Sequence, residues 1–139
     1  MNNTLRNILA VVLGWFAGSI VNMALVQLGY YIYPIPNVDT NNLEALTNVM
    51  PSLSSKHFIF PFLAHAVGTL VGAFITALIV LKYKVRFALV IGTLFFIGGI
   101  IVNMMLPAPT WFKAVDLLLA YMPMAFAGGF LAKSLKKTH

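Results

Sequence analysis

Apolar residues run along this chain in long blocks, not in the short periods of a soluble core. Four blocks, Ile8 to Tyr33, Phe58 to Leu81, Phe87 to Leu106 and Phe112 to Ala132, each reach the roughly 20 mostly apolar residues that cross a bilayer at about 1.5 Å per residue. The first three contain no Asp, Glu, Lys or Arg, and the fourth carries Lys113 and Asp116 in its opening turns. The pattern predicts an all-α integral membrane protein, a four-transmembrane-helix bundle forming a single membrane domain over residues 1–139. An outer loop (34–57), an inner turn (82–86), a short Pro-containing link and a tail (133–139) connect or end the spans. The first block follows Arg6 as a secretory leader would, but the apolar core of a leader runs only about 7 to 15 residues. An uncleaved first span is therefore expected.

The outer loop has a pattern of its own. Asp39 or Thr40 can cap a short helix on which Leu43, Leu46, Val49 and Met50 share one face, and Pro51 stops it. Such an amphipathic helix lies on the outer surface or lids the bundle, the alternative being an irregular loop with an apolar anchor. Tyr30, Tyr31 and Tyr33 close the first span and Trp111 with Phe112 opens the fourth, where amphipathic rings favour a membrane interface.

Composition supports lipid as the main solvent: 60% of residues are hydrophobic and 9% charged, whereas a soluble domain keeps about a quarter of its residues charged. Seven of the nine basic residues (Arg6, Lys82, Lys84, Arg86, Lys133, Lys136, Lys137) fall on one side of the spans, and all three acids (Asp39, Glu44, Asp116) on the other. That asymmetry predicts a plasma (inner) membrane location with both termini cytoplasmic. It accounts for the net charge of +6 without nucleic acid as a partner. With no cysteine in the chain, disulfides, thiolate nucleophiles and dithiol redox chemistry are excluded.

Two segments repeat: GSIVNMAL at Gly18 to Leu25 and GIIVNMML at Gly99 to Leu106. A weaker match aligns Gly72 with Gly128, Leu63 with Leu119 and Phe74 with Phe130. Together they suggest two tandem helical hairpins about a pseudo-twofold axis along the membrane normal. Helix packing is expected on small-residue faces, Gly14 and Gly18 in the first span, Gly68 and Gly72 in the second, Gly99 in the third and Gly129 in the fourth, because close backbone approach supplies contact energy in lipid. Pro123 predicts a kink in the fourth span. The asparagines of the repeat continue the glycine faces and point at protein.

Counted inward from the outer ends, Asn22, His65, Asn103 and Asp116 lie roughly 6 to 12 Å deep, one from each span. These four are the tentative ligand-binding residues, with Asp116 expected to pair with His65 and the asparagines to hydrogen-bond across the bundle. The simpler reading makes the asparagines interhelical glue and pairs Asp116 with Lys113. Gln27 and Tyr121 read as interface or packing residues. Three or four convergent metal ligands are not evident, Ser19 lies far from His65, and no cofactor motif is present, so no metal, cofactor or catalytic residue is expected. Two functions follow. One is a non-catalytic subunit, a homodimer or part of a larger membrane complex held through its glycine faces. The other is a small-solute or ion transporter or channel subunit with an outward-facing polar pocket for a small-molecule ligand.

Overall fold

A computed structural model describes residues 2–135, and every element in them is helical. Lys136 and Lys137 of the expected basic tail lie outside the described residues. The order is α1 (Asn3–Ile32), α2 (Leu43–Val49), two 3-10 turns (Met50–Ser52 and Ser55–Phe58), α3 (Ile59–Ile79), α4 (Lys84–Met105), α5 (Thr110–Leu119) and α6 (Met122–Leu135). Four helical stretches are long and apolar enough to cross a membrane: α1, α3 with its preceding turn, α4, and α5 with α6.

Local chemistry sets the helix ends. α1 begins at Asn3, before the apolar block, because Asn2 Oδ1 accepts the Thr4 N–H at 3.0 Å. The turn between α3 and α4 is shorter than 82–86: α4 starts at Lys84 after Tyr83, whose φ of 57° turns the chain sharply. Cations in a first helical turn oppose the helix dipole. Lys84 instead folds back on the open C-terminal end of α3, where its Nζ donates to the carbonyls of Ala77 and of Val80, the latter at 2.8 Å. Arg6 Nε donates to the neighbouring Ile79 carbonyl at 2.7 Å. Two cations thus cover carbonyls that have no helical donor of their own.

The fourth block is not one kinked helix but two. The ladder of α5 ends with the Ala120 N–H on the Asp116 carbonyl (3.0 Å), and that of α6 resumes with the Ala125 N–H on Tyr121 (2.8 Å). Pro123 has no N–H for the Leu119 carbonyl and its ring crowds that turn, so the break falls at Ala120 and Tyr121.

The loop helix is present with a different cap. Asn42 Oδ1 accepts the Ala45 N–H at 3.1 Å, while Asp39 Oδ1 is engaged by the Asn41 N–H at 2.9 Å in the turn before it. Leu46 and Met50 pack with Ile35, Phe58 and Phe112 over the end of the bundle, whereas Leu43 is exposed. α2 is therefore a lid.

α3 is the central helix. Gly68 and Gly72 turn one flank to α1, Leu70, Ala73 and Phe74 turn the opposite flank to α6, and α4 packs on both α3 and α6. A Cβ on Gly18 would sit 2.6 Å from the Gly68 carbonyl, and one on Gly72 would sit 2.7 Å from that of Gly14. Only glycine allows this separation, and it fixes the α1–α3 contact. The core between α3, α4 and α6 is mostly alanine (Ala73, Ala77, Ala88, Ala125, Ala132) with Ile91, so those axes also lie close.

Candidate functional site

At the lidded end, α3 and α5 bring two residues together that lie far apart in sequence. His65 Nδ1 is 2.8 Å from Asp116 Oδ1, and the Asp116 side chain is 0% exposed against 18% for His65. The second carboxylate oxygen accepts the Tyr121 hydroxyl at 3.0 Å. Tyr121 also stacks on the imidazole, with ring centroids 5.6 Å apart and planes 28° apart. The helix break makes this arrangement: Tyr121 follows Asp116 by five residues, and the turn at Ala120 and Tyr121 swings its ring back toward α3. Gly99 of α4 supplies the space, since a Cβ there would collide with the Tyr121 ring. In a low-dielectric interior, a carboxylate with both oxygens engaged is held firmly, and one left unpaired is costly.

The asparagines behave differently from each other and from expectation. Asn103 is buried, and its amide donates to the Gly99 carbonyl of its own helix at 2.9 Å. Asn22 stands beside Gly68 at the α1–α3 contact, and its buried Oδ1 has no hydrogen-bond partner among the described residues. Neither side chain hydrogen-bonds across the bundle: Asn22 lies against the Gly68 backbone, and Asn103 spends its amide on Gly99, whose open face is filled by the Tyr121 ring. Lys113 does not pair with Asp116: its Nζ donates to the Asn103 backbone carbonyl at 2.8 Å, covering the C-terminal end of α4. Thr69, one turn from His65 on α3, is fully buried, and its Oγ1 is also without a partner. Gln27 is exposed, with only a 3.9 Å contact from its amide to Met23 Sδ.

A cavity of about 200 Å³ opens between α1, α3, α4, α5 and the lid. Its walls are chiefly apolar, from Ile35, Leu46, Met50, Phe58 and Phe112, and its polar groups come from His65, Asn103, His57, Tyr30 and Tyr33. Of the four residues singled out in the sequence, His65 and Asn103 line it, Asp116 stands behind His65, and Asn22 is not part of the lining. His65 Nε2 makes no hydrogen bond to any described residue and is not shut away from solvent-sized space. Tyr121 and His57 were not legible as site residues. A proline two positions after a tyrosine, and seven after an aspartate in an apolar block, is the signal that could have marked Tyr121.

Chemically the arrangement is a carboxylate-oriented imidazole at the edge of an apolar chamber. In a neutral imidazole, a carboxylate on Nδ1 takes the N–H there and leaves Nε2 as the acceptor. No group of three or more His, Cys, Asp or Glu among the described residues is placed to hold a metal ion. Comparison with known proteins finds no matching family model, no matching curated protein and no matching solved structure.

Proposed function

We propose that the chain is a multi-pass protein of the plasma (inner) membrane, with both termini cytoplasmic, and that its lidded cavity binds a small, mainly apolar molecule as the ligand-binding element of a transporter or channel subunit. Four apolar helical stretches support insertion. The cluster of Arg6, Lys82, Lys84, Arg86 and Lys133 at one end, against Asp39 and Glu44 at the other, supports the orientation. The stack of His65 on Tyr121, which are mates when Gly72 is aligned with Gly128, supports two tandem hairpins about an axis between α3 and α6.

The observation that carries the ligand reading is the cavity itself. An apolar cavity of roughly 150 Å³ is enough for benzene, and this one, of about 200 Å³, adds a few convergent polar groups to apolar walls. The competing reading, a subunit that associates through its glycine faces, has less to draw on. Gly14, Gly18, Gly68, Gly72, Gly99 and Gly129 are all covered by helices of the same chain.

The test uses the full chain in phosphatidylcholine nanodiscs with 4-fluorotoluene, followed by ¹⁹F NMR. Leu46 lies on the lid and lines the cavity, so Leu46→Trp fills the chamber from above. A bound resonance distinct from lipid-partitioned probe, present in the wild type and lost in Leu46→Trp, is expected. The same spectrum from both proteins would overturn the reading.

A further inference from the structure

The cavity has one polar group whose hydrogen-bonding sense is set from outside it. We infer that the natural ligand is a single-ring or similarly small apolar molecule bearing a hydroxyl or other acidic O–H, which it donates to His65 Nε2. This rests on the ligand-binding reading above and adds the chemical class of the ligand.

Three observations carry it. Asp116, fully buried, holds Nδ1 at 2.8 Å. The Tyr121 hydroxyl occupies the other carboxylate oxygen at 3.0 Å, so the carboxylate accepts from two donors, and one of them is the Nδ1–H. Nε2, the remaining nitrogen of a cavity-lining residue, has no partner among the described residues. An acceptor on a residue that lines a chiefly apolar cavity selects a ligand that brings a donor, because a ligand without one leaves the imidazole desolvated and unpaired. The volume of about 200 Å³ limits the body of that ligand to about one ring or a short chain.

The other polar groups near the imidazole do not compete for Nε2. Tyr30 of α1, Tyr33 just beyond its end and Asn103 of α4 line the chamber but make no hydrogen bond to His65. His57 is engaged with Ser54 through its Nδ1. The Lys113 ammonium is held on the Asn103 carbonyl.

The experiment compares 4-fluorophenol, which donates, with 4-fluoroacetophenone, which only accepts, by ¹⁹F NMR in the same nanodiscs after correction for partition into lipid. The wild type is expected to prefer the phenol by about fivefold, the worth of one ordinary hydrogen bond. Asp116→Asn is the decisive variant. Tyr121 continues to donate to the amide oxygen, which turns the amide N–H₂ toward Nδ1, moves the imidazole proton to Nε2 and makes that atom a donor. The preference then reverses toward the ketone. A wild type that shows no preference, or prefers the ketone, overturns the inference. If Asp116→Asn does not fold, the wild-type comparison still decides. A bound 4-fluorotoluene resonance without phenol selectivity leaves the cavity reading standing and removes this one. No bound resonance for any of the three probes removes both.

Discussion

His65 Nδ1 and Asp116 Oδ1 meet at 2.8 Å across fifty-one positions of chain, and this contact ties the central helix α3 to the short α5. The carboxylate it uses has no exposed surface. Removing it therefore costs more than the bond is worth, since the buried Tyr121 hydroxyl and the part-buried His65 Nδ1 lose their acceptor. Asp116→Ala is expected to lower stability by about 1 to 3 kcal/mol, the cost of leaving buried donors without their acceptor. Asp116→Asn, which retains an acceptor for Tyr121 and a contact for Nδ1, should lose much less. Denaturant unfolding in micelles, read by Trp15 and Trp111 fluorescence, separates the two. Equal losses would mean that charge alone matters there.

The glycine contacts between α1 and α3 make a second, independent test. A Cβ on Gly68 would stand 2.8 Å from the Gly18 carbonyl, and backbone cannot step aside as a flexible side chain can. Gly68→Ala and Gly72→Ala should each cost about 1 to 3 kcal/mol, as overpacking does. Gly98→Ala, where an added Cβ meets nothing within 4 Å, should be neutral. If Gly98→Ala is as harmful as Gly68→Ala, the harm comes from helix chemistry in general and not from this interface.

Much of this was legible because it depends on period and length. Apolar blocks mark the four helical stretches long enough to cross a membrane, and glycines four residues apart mark the faces by which α1 and α3 touch. Position along the apolar blocks brought His65 and Asp116 to one level, where the structure pairs them. What the sequence hid depends on local competition. Asp39 was as good a cap as Asn42 by residue type, but a turn took its side chain first. Lys113 had an acid three residues away, and it chose a helix-end carbonyl instead. Pro123 announced a bend, but not that the resulting break would carry Tyr121 onto the carboxylate.

The basic end of the bundle depends on borrowed caps. Arg6 of α1 and Lys84 of α4 both donate to the last carbonyls of α3. Arg6→Met and Lys84→Met should each loosen that end by about 1 kcal/mol, with water taking over part of the bonding. Amide hydrogen exchange is the measurement. The Val80 N–H, bonded to the Thr76 carbonyl at 3.1 Å, should exchange several-fold faster, while amides in the middle of α3 remain protected. Uniform acceleration along α3 would point to global destabilisation and against a capping role.

The twin asparagines of the repeat have opposite accounts. Asn103 satisfies its amide on Gly99 one turn back and lines the cavity. Asn22 keeps a buried amide oxygen with no partner among the described residues. A desolvated acceptor of that kind costs about 1 to 3 kcal/mol, which is regained when an apolar group of similar shape replaces it. Asn22→Leu should therefore leave stability unchanged or raise it by about 1 kcal/mol, without changing the bound 4-fluorotoluene resonance. Asn103→Leu removes a polar group from the chamber wall and should shift that resonance. A loss of stability in Asn22→Leu comparable to that in Asp116→Ala would show that Asn22 has a partner, such as a bound water shared with the equally unpartnered Thr69 hydroxyl. The two copies of the motif would then both be polar contacts, and the difference drawn between them would fall.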